Sequence, residues 1–116
     1  MMHNRQFGNM GEEIATKYLQ DNGYKILARN VHYSRFCEID IIAQEKNTTV
    51  FVEVKTRKDD KFGTPMEAIT KTKYEHIKKG VYNYLSENHV KSYRIDAIGI
   101  TLKPELKIEH LKNISV

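Results

Sequence analysis

The chain has 116 residues, of which 40% are hydrophobic and 29% charged. This length and balance predict one globular domain, residues 1–116, and exclude a collagen, a coiled coil and a disordered chain. Lysine and arginine total 19 and aspartate and glutamate 15, so the net charge of +4 is compatible with a polyanionic partner without by itself indicating one.

An amphipathic helix is predicted first, over residues 9–22, because its apolar residues recur at helical spacing. Gly8 and Gly11 project toward the buried side of this helix, where the backbone can approach a neighbouring element closely. Gly23 is a typical C-terminal stop for the helix. A first strand is expected to follow, over residues 24–33.

Two further strands, over residues 36–44 and 48–56, are predicted from the alternation of apolar and polar side chains. In the first of them the apolar face consists of Cys37, Ile39, Ile41 and Ala43. In the second it consists of Val50, Val52 and Val54. The polar turn residues between the two strands predict that they pair as a hairpin.

The rest of the chain predicts a charged loop, a long helix over residues 66–87, a strand over residues 92–102 and a short strand over residues 107–111. Pro65 and Pro104 lie at the boundaries of these elements. The expected order is α-β-β-β-α-β, with one more strand at the end. This order predicts an α/β fold with a central mixed sheet flanked by helices.

Three charged side chains are expected to meet on the polar face of the hairpin, Asp40 from one strand and Glu53 and Lys55 from the other. Two carboxylates directed at one point repel unless a cation lies between them, and Mg²⁺, or Mn²⁺ as a substitute, takes such oxygen ligands. Lys55 would stand beside the ion and hold a water or offset charge on a phosphate. Glu12 lies at the border of the buried helix face, where it can reach toward Asp40 as a further ligand or positioning group.

The segments that carry these residues resemble a known family. Asp40 followed by Glu53-Val54-Lys55 is similar to the PD-(D/E)xK nuclease signature, with Ile39 where that signature usually has proline. Over most of the chain, the sequence resembles the YraN-like uncharacterised bacterial family, through the segments GEEIATKYLQDNGYKIL, EIDIIA, VFVEVKTR, FGTPMEAI and YRIDAI. Members of that family are predicted endonucleases, distantly similar to archaeal Holliday-junction resolvases.

The resemblance implies a restriction-endonuclease-like fold and a metal-dependent, endonuclease-like phosphodiesterase that hydrolyses nucleic acid, with DNA, including branched or structured DNA, as the expected substrate. Asp40 and Glu53 match the family's metal-binding acids, and Lys55 matches its catalytic lysine. Glu12 matches the acid on the first helix of resolvase-like members, and the backbone carbonyl of Val54 is expected to complete the metal shell. A homodimer would suit the paired cuts that resolvase-like enzymes make.

The basic residues that follow the predicted site are expected to steer phosphates, although a solvated loop is the alternative interpretation: Arg57, Lys58 and Lys61. The resemblance adds Lys73, at a position where related proteins often carry a basic residue that contacts phosphate. Glu38 competes with Asp40 for the ion, but a solvated position, or a pair with Arg35 or Arg57, is favoured. Asp96, inside an apolar strand, could be a third acid of the site, but a structural hydrogen-bonding role is favoured.

Other functions find little support in the sequence. The histidines form no HxxxH or HExxH pair, and no glycine-rich phosphate-binding motif is present, which argues against zinc hydrolysis, nucleotide hydrolysis and dinucleotide binding. Cys37 is the sole cysteine and is expected to be an inert core thiol in a cytoplasmic setting, and no signal peptide or membrane span is predicted. The alternatives to a nuclease are a catalytically silent nucleic-acid-binding module with the same fold and an interaction scaffold.

Overall fold

The computed structural model describes residues 4–35, 37–61 and 63–114, so the predicted start of the second strand at Phe36 lies outside the described residues. The elements, in chain order, are helix α1 (Asn4–Asp21), strands β1 (Lys25–Ser34), β2 (Cys37–Glu45) and β3 (Thr48–Arg57), a short 3₁₀ helix (Pro65–Ala68), helix α2 (Lys71–Glu87), and strands β4 (Ser92–Thr101) and β5 (Lys107–Leu111). The predicted α/β class and the order α-β-β-β-α-β-β are confirmed.

The five strands form one mixed sheet in the order β1-β2-β3-β4-β5. Strands β3 and β4 are parallel, and the other neighbours are antiparallel. Parallel neighbours require a crossover connection, which α2 supplies on one face of the sheet, while α1 covers the other face. In the described part of the chain, neither helix has the length and apolar character needed to cross a membrane.

The two faces of the sheet carry separate hydrophobic clusters. The cluster between α1 and the sheet includes Ala15, Leu19, Ile41, Ala43, Val50, Val52, Ile98 and Ile100. The cluster between α2 and the sheet includes Ile39, Ile42, Phe51, Ile77, Val81 and Ile95. The prediction of one apolar face for β2 is therefore wrong at Ile39, because this side chain packs under α2 whereas Ile41 and Ala43 pack under α1. The alternation of side chains in β2 shifts at Asp40. The facing strand β1 is irregular at the same point, because Asn30, which lies between the partners of Ile39 and Ile41, has a left-handed φ of 52°.

Helix α1 begins at Asn4, earlier than predicted, and lies closest to the sheet at Gly11. A Cβ atom built at Gly11 would overlap the side chain of Thr56 on β3, so the predicted close approach is confirmed there. At Gly8 a Cβ atom would meet nothing within 4 Å. Gly23 has a φ of 88° and follows the helix as the predicted stop.

The second helix is shorter than the predicted span of residues 66–87. Residues Pro65–Ala68 form the separate 3₁₀ helix, and α2 begins only at Lys71. Thr70 caps α2, because its side-chain oxygen accepts a hydrogen bond of 3.1 Å from the backbone N–H of Lys73. This start places Lys73 in the first turn of the helix.

A buried polar network joins β4 to β5 and to Tyr24, the residue before β1. Asp96 is fully buried and accepts hydrogen bonds from Arg94 Nε at 3.0 Å, His110 Nε2 at 2.8 Å and the N–H of Asn113 at 2.9 Å. Arg94 also donates to the hydroxyl of Tyr24 at 2.7 Å. Burial would raise the pKa of Asp96, but the hydrogen bonds from His110, Arg94 and Asn113 outweigh it and lower the pKa. The expected structural role of Asp96 is confirmed.

The contact between Gly11 and Thr56 predicts a difference between two glycines of the same helix. Gly11→Ala is expected to lower the free energy of unfolding by about 1–3 kcal/mol, because the new methyl group must displace Thr56 or lift α1 from the sheet. Gly8→Ala, the matched control, is expected to raise it by up to about 1 kcal/mol, since alanine favours the helix. Urea unfolding followed by circular dichroism measures both values, and equal changes would contradict the close approach.

The network around Asp96 predicts a pH-dependent contribution to stability. Asp96→Asn is expected to lower the free energy of unfolding at pH 7 by roughly 2–4 kcal/mol, because Arg94 and His110 lose their charged partner. Since the folded-state pKa of Asp96 lies below the usual value of 3.8, this contribution is present above that pH and is lost as the pH falls through the folded-state value.

Urea titrations at neutral and acidic pH measure the effect of Asp96→Asn. Glu109→Gln, at an exposed acid of the neighbouring strand, serves as the control and should stay within about 0.5 kcal/mol of the original protein. A loss from Asp96→Asn that stays the same down to pH 3 would speak against the charged network.

Candidate active site

The candidate site opens where β2 and β3 separate. In the described residues, backbone pairing between these strands ends at Ile41 and Val52. Beyond that point β2 remains paired with β1, and β3 remains paired with β4, so the two strands diverge. Asp40 and Glu53 are the next residues on the two strands, and their carboxylates therefore lie at the fork of the sheet.

A cavity of about 720 Å³ occupies this fork. Its wall contains the predicted catalytic and metal-binding residues, namely Glu12, Asp40, Glu53 and Lys55. It also contains three of the predicted nucleic-acid contacts, namely Arg57, Lys58 and Lys73. Lys61 is not part of this wall; it is exposed, and its backbone N–H donates to Asp59 Oδ1 at 3.1 Å. The structure thus brings together residues from α1, β2, β3 and α2.

Asp40 is held in place by the backbone of the neighbouring strand. The N–H of Val54 points toward β2, where the ladder has ended, and donates to Asp40 Oδ2 at 2.8 Å. The carboxylate therefore takes the place of a backbone acceptor and bridges the two strands. Burial raises the pKa of Asp40, and the hydrogen bond from Val54 offsets part of that rise.

Glu53 is the most buried acid of the site, with 6% of the residue exposed. Burial and the negative charge of Asp40 raise the pKa of Glu53 to about 8. Lys73 opposes this rise, since its Nζ lies 3.4 Å from Glu53 Oε1. The two acids are consequently a buried pair whose joint ionisation is unfavourable, with one lysine as counter-charge, and such a pair favours an added cation.

Lys55 lies on the same face of β3 as Glu53, because the two residues are two positions apart on the strand. It forms no ion pair within 4.0 Å with any described residue. Burial, together with the positive charges of Lys73 and Arg57, lowers the pKa of Lys55. Its ammonium group is therefore available to a ligand in the cavity.

Glu12 approaches the fork from α1. Its Oε1 is buried and has no hydrogen-bond partner among the described residues. Burial and the charge of Asp40 raise the pKa of Glu12, against the opposing charge of Arg29. A buried carboxylate oxygen without a donor is unfavourable, so this atom favours a water or cation as its partner.

The donor set has the chemistry of a site for a hard divalent cation. Asp40 and Glu53 offer adjacent carboxylates, and Mg²⁺ usually combines one or two of these with waters and phosphate oxygens. Within residues 4–35, 37–61 and 63–114, no three His, Cys, Asp or Glu side chains are grouped so that they could hold an ion as they stand. The residues present therefore fit a divalent cation that is held by two carboxylates together with oxygens from water or a substrate, with Glu12 beside them.

The cavity wall includes residues that the sequence did not single out as part of the site, Arg35 and His76 among them. His76 lies three positions after Lys73 on α2, and this helical spacing is the signal that could have identified it. Glu38 is exposed, as expected, and its Oε1 lies 3.7 Å from His32 Nε2, but Glu38 is also part of the cavity wall.

Comparison with known proteins finds similar chains of nearly the same length. Residues 11–100 match the model of a family described as "Uncharacterised protein family UPF0102". A UPF0102 protein of Caldicellulosiruptor saccharolyticus is 44% identical, and the alignment covers 97% of this chain and 98% of the relative. A UPF0102 protein of Syntrophus aciditrophicus is 43% identical, with 97% of this chain and 91% of the relative covered. The matched range contains the four residues predicted as catalytic.

The raised pKa of Glu53 predicts that ionisation of this residue lowers the stability of the metal-free protein. With a folded-state pKa of about 8, the neutral carboxyl contributes stability at pH values below the ordinary 4.5, and this contribution is lost as the pH rises through about 8. Glu53→Gln keeps a neutral side chain at every pH. We expect the stability of the variant relative to the original protein to increase from pH 5 to pH 9 by on the order of 1 kcal/mol or more.

Urea titrations in the presence of EDTA measure this difference for Glu53→Gln. Glu105→Gln, at an exposed position outside the cavity, is the control and should show no such trend. A Glu53→Gln variant that is less stable than the original protein at pH 9 would contradict the under-compensated acid pair.

Proposed function

This chain belongs to the uncharacterised protein family UPF0102, and we propose that it is a metal-dependent, endonuclease-like phosphodiesterase that hydrolyses nucleic acid, with DNA as the expected substrate. The observation that carries the proposal is the fork of the sheet. There Asp40, Glu53 and Lys55 from two diverging strands share one cavity with Glu12 from α1. Acids and lysines combined in this way suit a phosphodiester.

The charge distribution of the cavity supports an anionic substrate. The four acids of the wall would by themselves repel a phosphate, namely Glu12, Glu38, Asp40 and Glu53. The same wall carries the basic side chains Arg35, Lys55, Arg57, Lys58 and Lys73. These groups lower the repulsion and attract a nucleic-acid backbone, whose counterions are released on binding. Binding is therefore expected to weaken as the salt concentration rises.

In the proposed mechanism, Asp40 and Glu53 would hold a divalent cation, which when bound would supply Lewis-acid polarisation of the scissile phosphate and a lowered pKa of water. Asp40 is already oriented by the N–H of Val54. Lys55 forms no ion pair with a described residue, and its ammonium group positions the attacking water or offsets the negative charge that develops on the phosphate.

Glu12 has a supporting role in this mechanism. Glu12 lines the cavity within electrostatic reach of Asp40, and its Oε1 has no hydrogen-bond partner among the described residues. From α1 it can accept a hydrogen bond from a water at the fork or add an oxygen ligand. Arg57 and Lys58, at the end of β3 and just beyond it, contact the flanking phosphates.

A catalytically silent nucleic-acid-binding module is the second candidate. The arrangement of the acids supports this candidate. No three of the described His, Cys, Asp and Glu side chains are placed so that they could hold an ion as they stand. Such a module would keep the basic wall of the cavity and bind nucleic acid without cutting it.

A cleavage assay tests the proposed activity. We expect labelled branched, flapped, nicked or single-stranded DNA to be cut with Mg²⁺ or Mn²⁺ and not with EDTA. Asp40→Asn, Glu53→Gln and Lys55→Met should each lower the rate by at least about 100-fold, since each removes a group proposed to act on the phosphate, the water or the cation. Lys91→Met, which removes an exposed lysine outside the cavity, should leave the rate unchanged.

Fluorescence anisotropy at two salt concentrations separates the alternatives. Salt-sensitive DNA binding by the original protein and the variants, with no metal-dependent product from any substrate, would establish the binding module instead. Absence of salt-sensitive binding would contradict both nucleic-acid functions and favour an interaction scaffold.

A further inference from the structure

Lys73, rather than Lys55, provides the counter-charge of the acid pair. The Nζ atom of Lys73 lies 3.4 Å from Glu53 Oε1, and the side chains of Lys73 and Glu53 are 39% and 8% exposed. Lys55 lies two residues after Glu53 on β3 and makes no ion pair with a described residue. A half-exposed ammonium group thus contacts an almost fully buried carboxylate.

The start of α2 directs Lys73 to the fork. The side chain of Thr70 accepts a hydrogen bond from the N–H of Lys73, which fixes the first turn of the helix. His76 and Ile77, from the next turn, line the same cavity as Lys73. This face of α2 therefore lies against the site, and Lys73 can remain in the cavity after it leaves Glu53.

An ammonium group and a divalent cation are competing partners for the same carboxylate. A buried carboxylate needs a positive partner, and Lys73 provides one in the metal-free protein. Two positive partners at one carboxylate repel each other, and the repulsion is strong where water is largely excluded. Uptake of a cation by Asp40 and Glu53 therefore weakens the contact of Lys73 with Glu53 and favours displacement of the lysine.

We propose that Lys73 is a positioning residue that takes the place of the divalent cation: its ammonium group compensates Glu53 in the metal-free protein and is released toward the substrate phosphate when the cation is taken up. This proposal rests on the proposed metal-dependent function and adds a competition within the same site. Metal uptake and phosphate contact are thereby coupled, since the lysine becomes available only in the metal-loaded protein.

Lys73→Met tests the competition through metal affinity, which does not depend on catalysis. In calorimetric titrations with Mn²⁺, we expect the dissociation constant of the variant to be lower than that of the original protein by about fivefold or more, because no ammonium group has to be displaced. Lys71→Met, which removes an exposed lysine from the same helical turn, controls for the general loss of positive charge and should change the constant less than about twofold. Lys73→Arg should restore the original value.

Thermal unfolding provides a second measurement on the same variants. Without metal, Lys73→Met leaves Glu53 and Asp40 without their counter-charge and should lower the Tm. With saturating Mn²⁺ the variant and the original protein should melt alike, so the rise in Tm caused by the metal is larger in the variant. A merely structural loss would lower the Tm equally with and without the metal.

The outcomes distinguish this proposal from the function on which it rests. Mn²⁺ binding by Lys73→Met that is no tighter than that of Lys71→Met would overturn the competition and leave the proposed function standing. Failure of the folded original protein to bind Mn²⁺ would overturn the metal-dependent function, and the competition with it.

Discussion

Two carboxylates held side by side at the point where two strands separate constrain the rest of this site. Asp40 and Glu53 follow the last backbone pair of β2 and β3, and the N–H of Val54 fixes the first of them across the gap. Each strand stays paired on its outer side beyond this point, β2 with β1 and β3 with β4 along the whole of Thr48–Arg57. The fold therefore maintains an electrostatically unfavourable arrangement, which is typical of functional sites.

The protein contains two buried acid clusters with opposite character. Asp96 is surrounded by donors from Arg94, His110 and the backbone, and its pKa is lowered. Glu53 has one lysine and a neighbouring carboxylate, and its pKa is raised, while Glu12 nearby keeps an oxygen without a donor. The first cluster is complete within the chain and stabilises the fold. In the described residues, the second cluster keeps more negative charge than its own donors offset, and this is the physical reason for proposing a function there.

Local patterns predicted much of this arrangement, and long-range contacts determined the remainder. Strand alternation placed Glu53 and Lys55 on one face because that pattern depends only on neighbouring residues. It failed at Ile39, since the shift in β2 depends on the irregular partner strand. Apolar spacing extended the second helix too far because the capping side chain of Thr70 overrides it. The pair between Lys73 and Glu53 was not predictable from spacing, since the crossover of α2 creates it.

The crossover also gives the site an order of assembly. The β2–β3 hairpin joins residues that are close in the chain, whereas α2 must dock across the sheet before Lys73 meets Glu53. A nascent chain that ends before this helix would carry both carboxylates of the hairpin without their internal counter-ion. The parallel strand β4, which follows the helix, then fixes β3 from the far side. The candidate site is therefore completed late, after the chain has supplied almost all of the sheet that surrounds it.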